Sequence, residues 1–104
     1  MANRVRLGMA AVASPLEVGA GEAPALQERL GTAFASLAPE RLEVIPAPRT
    51  ALDPDSAAAV GRFFYEQRID VLCVVAASWF EDYLILDLLE ECNTPLVLWA
   101  RPGM

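Results

Sequence analysis

A chain of 104 residues with 55% hydrophobic and 21% charged residues has the size and composition of one globular domain with a real core. Its net charge of −6, and cations that are all Arg and never clustered, exclude a phosphate-binding surface for nucleic acid and docking on an anionic membrane. It has no His and no Lys, which removes Ser-His-Asp and Cys-His nucleophiles, Schiff-base chemistry and any His-containing metal site.

Val5–Ala13 is read as the first strand, apolar through Leu7, Met9, Ala10, Ala11 and Val12. Arg4, Arg6 and the run ending Ala11-Val12-Ala13-Ser14 also have the outline of a short signal peptide, and the strand is the reading taken. No run approaches the ~18 apolar residues of a membrane span. The loop Ser14–Gly21 follows. Its Gly19-Ala20-Gly21 has the start of a dinucleotide loop, but Pro24 stands where the third glycine belongs, so a turn is expected. The first helix is expected from Glu22 to Leu37, with Pro24 in its first turn and a stripe of Leu26, Leu30, Ala33, Phe34 and Leu37.

Leu42–Pro46 is a short second strand, and its Pro suits a sheet edge. Asp53-Pro54 opens the second helix, with Asp as the cap. That helix runs to Arg68 with Ala57, Val60, Gly61 and Phe64 inward. Asp70–Ala77 is the third strand. Its unbroken apolar run without polar alternation is that of a parallel strand buried on both faces. The third helix spans Phe80–Cys92 and is stopped by Asn93-Thr94-Pro95. Leu96–Ala100 is the fourth strand, apolar throughout. Cys73 and Cys92 form no motif and read as buried apolar residues in a reducing compartment.

This βαβαβαβ pattern predicts a single α/β domain over residues 1–104, a three-layer αβα, flavodoxin- or Rossmann-like fold with a mostly parallel sheet in the order 2-1-3-4. Right-handed crossovers place the first helix on one face and the other two opposite. Strands three and four are then expected to lie bare on the first-helix face. Further protein, from a longer chain or another subunit, is expected to cover them.

Ligands bind such sheets at the carboxyl ends of the strands, where strand order reverses. Ser14, Glu17, Trp79, Phe80, Glu81, Asp82 and Arg101 all fall at that edge. Glu17 sits in a loop, open to ligand or solvent. Glu81 and Asp82 suit either the helix dipole or a ligand's hydroxyls. Trp79 and Phe80 either wall a pocket or interface, or pack under the third helix. A phospho-acceptor receiver domain is excluded, because the third strand ends Ala76-Ala77-Ser78 and no Lys exists.

Three segments carry a resemblance. They are Ala13-Ser14-Pro15-Leu16-Glu17-Val18-Gly19, Ser78-Trp79-Phe80-Glu81-Asp82-Tyr83-Leu84, and Leu88-Leu89-Glu90-Glu91-Cys92 leading to Thr94-Pro95-Leu96-Val97-Leu98-Trp99. In these the chain resembles the N-terminal domain of the L-fucose/L-arabinose isomerase family. The resemblance implies a cytoplasmic, oligomeric aldose–ketose isomerase using Mn2+ or a similar ion. It also implies that the metal ligands and acid/base carboxylates lie in later domains, while the N-terminal domain helps wall a neighbour's sugar pocket. By position, Ser14, Glu17, Trp79 and Phe80 would be wall residues. Without His, this chain is expected to hold no cofactor or metal and to carry no catalytic residue itself. The expected partners are further copies of the chain or the remaining domains of a longer one, and a sugar. The alternative is a stand-alone α/β binding or scaffold module that self-associates through its fourth strand.

Overall fold

The computed structural model describes residues 4–14, 20–76 and 83–100. Four strands, β1 (Val5–Val12), β2 (Leu42–Pro46), β3 (Val71–Ala76) and β4 (Leu96–Ala100), form one all-parallel sheet in the order β2-β1-β3-β4. Three α-helices, α1 (Ala23–Leu37), α2 (Pro54–Gln67) and α3 (Tyr83–Cys92), complete a three-layer α/β fold. The predicted strand order and parallel pairing are therefore those of the molecule.

Local chemistry marks both ends of α2 and the end of α3. A 3-10 turn over Ala20–Glu22 leads into α1. Asp53 caps α2: its carboxylate accepts from the Ser56 N–H at 2.8 Å, while the Ser56 hydroxyl oxygen accepts from the Asp53 N–H at 3.1 Å. Arg68 closes α2 in the left-handed conformation, and its N–H donates to carbonyls of the last turn. Asn93, also left-handed, follows α3.

The two faces of the sheet hold two separate cores. On one, α2 and α3 pack on Ala10, Val12, Ile45, Leu72 and Val74 through Val60, Phe64, Leu84 and Leu88. Gly61 lets the two helices touch: a Cβ there would stand 2.7 Å from the Leu88 carbonyl oxygen and 2.7 Å from Glu91 Cβ. On the other face α1 packs on β1 and β2, with Leu7, Met9, Ala11, Cys73 and Val75 in one cluster with Ala23 and Leu26. At the amino edge, Arg6 ties three elements together. It donates to the Gln67 carbonyl at 2.9 Å and to Glu43 at 2.9 Å, and its backbone N–H donates to Asp70 at 2.8 Å.

Two expectations are corrected. On the α1 face Cys73 and Val75 of β3 are buried, and on β4 Trp99 is partly buried against their cluster while Val97 stays exposed. The first turns of α1, through Ala23 and Leu26, belong to the cluster that covers them. The buried stripe of α1 is Ala23, Leu26 and Gln27, with Leu30 and Phe34 partly buried, whereas Ala33 and Leu37 are exposed. A 15-residue helix is about 22 Å long. The five residues of the outer strand β2 span about 17 Å, less than the length of α1.

Candidate functional site

The strand order reverses between β1 and β3, and their carboxyl ends define the expected ligand edge. Ser14 stands two residues past the end of β1 at this edge and is half-buried. Glu17, Trp79, Phe80, Glu81, Asp82 and Arg101 lie outside the described residues. The flanking backbone is nevertheless fixed. After β2 the chain continues forward beside β1 and parallel to it: the Ala47 N–H donates to Met9 O, the Ala51 N–H to Ala11 O, and the Ala13 N–H to Ala51 O.

Gly21 bears on the dinucleotide alternative. A Cβ added there would meet nothing within 4 Å. The glycines of a phosphate loop are there because backbone, ligand and helix approach too closely for a side chain. Gly21 meets no such demand from the protein, in keeping with a plain turn.

A groove of about 520 Å3 lies between α1 and the β2–α2 connection, lined by Gly31, Ala35, Val44, Pro46, Arg49 and Thr50 among others. Sequence reading missed it. Its floor is set by Gln27, the one buried polar residue of the core among the described residues. The Gln27 side-chain oxygen accepts from the Ala11 N–H at 2.9 Å, and its amide donates to Ala47 O at 3.1 Å. The signal was a Gln at a core position of α1, one turn beyond Ala23. Thr50 Oγ1, in the groove wall, is buried without a hydrogen-bond partner. The groove opens beside the outer strand β2.

Asp53 is held below the usual aspartate range by hydrogen bonds from Ser56, and it is fully exposed at a helix cap. Burial pushes the Cys73 thiol up, which makes it inert rather than nucleophilic. Among the described residues no group of three or more His, Cys, Asp or Glu side chains could hold a metal ion. No helix among the described residues is long and apolar enough to cross a membrane.

The feature that stands out is β4. Leu96, Val97 and Leu98 are 38%, 52% and 55% exposed. By register, Leu96 and Leu98 share a face with Leu72 and Val74, and Val97 shares one with Cys73. Among the described residues Leu96, Val97 and Leu98 thus leave apolar surface open on both faces of β4, while Trp99 is partly buried against the α1-face cluster. No family model matches the chain, and no curated protein matches it.

Proposed function

We propose that this chain is a non-catalytic assembly and substrate-wall domain of an aldose–ketose isomerase-like protein, completed by further protein along β4. The observation that carries the assembly half is the exposure of Val97 and Leu98 on a strand without a charged residue. Monomers seldom leave such a strand uncovered, because unpaired donors and apolar side chains together favour association. The wall half is supported by the resemblance around Ser14 and Trp79 and by the order reversal at β1 and β3.

The wall half is tested by titrating the 15N-labelled chain with L-fucose and L-arabinose. Selective amide shifts are expected at Ser14 and in the segments 15–19 and 77–82, with none in the groove beside β2. Spectra unchanged at saturating sugar would sink it. The second reading, a self-associating scaffold without a sugar site, is favoured by the same bare β4. It is separated from the first by a natural reading frame that carries no isomerase domains.

A further inference from the structure

We infer that β4 pairs antiparallel with β4 of a second copy, about a two-fold axis through Leu98, joining two four-stranded sheets into one continuous sheet. The inference rests on the reading of β4 as an assembly edge and names its partner and register.

The register follows from which backbone groups are used. The Leu72 N–H donates to Pro95 O, so the Pro95 carbonyl points toward β3. Carbonyl and N–H directions alternate along a strand. Val97 and Trp99 therefore point their backbone groups inward to β3, while Leu96, Leu98 and Ala100 point theirs outward. None of these three is Pro, so all three outward donors exist. Centring the pair on Leu98 makes Leu98 opposite Leu98 of the second copy a hydrogen-bonded pair. Leu96 opposite Ala100 of the second copy is another, and it occurs twice by symmetry. Val97 then faces Trp99 of the second copy on the α1 side, a β-branched residue against an aromatic, which is a favourable cross-strand pair.

The other edge of the sheet is built differently. The Val5 N–H donates to Arg41 O, so by the same alternation Leu42, Val44 and Pro46 face outward on β2. Pro46 has no N–H to give, and Glu43 is engaged by Arg4 and Arg6. One edge is blunted and the other is not.

The charge pattern makes β4 a place where a second copy can dock. A chain of net charge −6 repels its own kind over most orientations. A two-fold contact sets each residue near the axis against itself, so an acidic residue there would face its own charge. Leu96–Ala100 contains no charged residue, and its self-contact carries no such penalty.

Area shows what else takes part. An edge of about 17 Å cannot supply the ~800 Å2 per partner of a stable interface alone. The two-fold keeps both α3 helices on the same face of the joined sheet. Gly61 lies against Leu88 and Glu91, so α2 occupies that side of α3. At 100° per residue, Ile85 and Leu89 lie on the opposite flank, and both are partly buried against the core. They are placed to close over the paired Leu98 side chains.

The test is sedimentation of the chain alone, of Leu98→Lys, of Leu98→Glu, and of an equimolar mixture of the two variants. Circular dichroism confirms that each is folded. The chain is expected to dimerise reversibly, each variant to be monomeric, and the mixture to recover the dimer, because only a contact of residue 98 with itself turns repulsion into attraction. A folded Leu98→Lys that still dimerises, or a folded mixture that stays monomeric beside a dimeric parent, overturns the strand register while leaving β4 open to another mode of assembly. A parent chain that is monomeric up to about 100 μM, where even small interfaces are populated, overturns the second copy as occupant. It leaves only another domain as the completing protein.

Discussion

Cys73 shows how one position reports on the whole core. It points from a central strand into the α1-side cluster, and burial raises its thiol above the ordinary range. Both thiols, Cys73 and Cys92, are buried. A disulfide reagent at neutral pH should therefore label neither thiol in the folded chain on the timescale on which it labels the urea-unfolded chain. Rapid labelling of Cys73 would mean that the α1 face opens. Asp53 gives a second residue-scale expectation. Its folded pKa is depressed, so its contribution is present above the unfolded aspartate value of about 3.8 and is lost as pH falls through the lower folded value. The stability difference between the parent and Asp53→Ala should hold from neutral pH to about pH 5 and shrink below pH 4 in urea titrations. An unchanged difference at pH 3 would show that the Ser56 interactions do not depend on the carboxylate's charge. The cap was readable from Asp53-Pro54 alone, because capping is local chemistry. The Gln27 bridge was not, because its partners Ala11 and Ala47 are 16 and 20 residues away.

Among the elements, the α2–α3 contact is the one most sharply set by a single side chain. Gly61→Ala gains about 1 kcal/mol of helix propensity. It also drives a methyl group into the Leu88 carbonyl and Glu91 Cβ, neither of which is the free end of a flexible chain. Overpacking of this kind costs roughly 1–3 kcal/mol, so the variant should be less stable in chemical denaturation, by up to about 2 kcal/mol. Equal or higher stability would show that α3 can slide away from α2 freely. The inward set Ala57, Val60, Gly61 and Phe64 was legible from 3.6-residue periodicity, and all four are buried. The stripe on α1 was legible only in part. Periodicity fixes which residues share a face, but it does not say how far along the helix that face stays covered. Leu37 therefore matched the pattern yet stands exposed.

For the molecule as a whole, strand order was legible because each connection is long enough for a crossover and β3 is apolar without alternation. The cover over Cys73 and Val75 was not, since it depends on how α1 crosses the sheet, which no local pattern encodes. The proposed sugar edge was read from residues that the described structure mostly does not include. The groove beside β2 escaped notice because its walls are small residues and a Pro-containing connection that resembles any loop. Assembly belongs to this scale too: the Leu98 charge-pair mixture is the measurement that joins a residue to the state of the whole.

The pairing pattern also has a consequence in time. The sheet consists of two local units, β1-α1-β2 and β3-α3-β4, joined along a seam between β1 and β3. The seam begins with Leu7 opposite Val71, a separation of 71 − 7 = 64 residues. Each half can gather its own helix and strands early, but the seam must wait for a distant search, and such non-local pairings slow folding. Until it closes, β1 and β3 are themselves open apolar edges, of eight and six residues. A crowded refolding mixture then offers the β3-α3-β4 half of one molecule the β1 strand of another, and exchange of halves between molecules competes with folding within one.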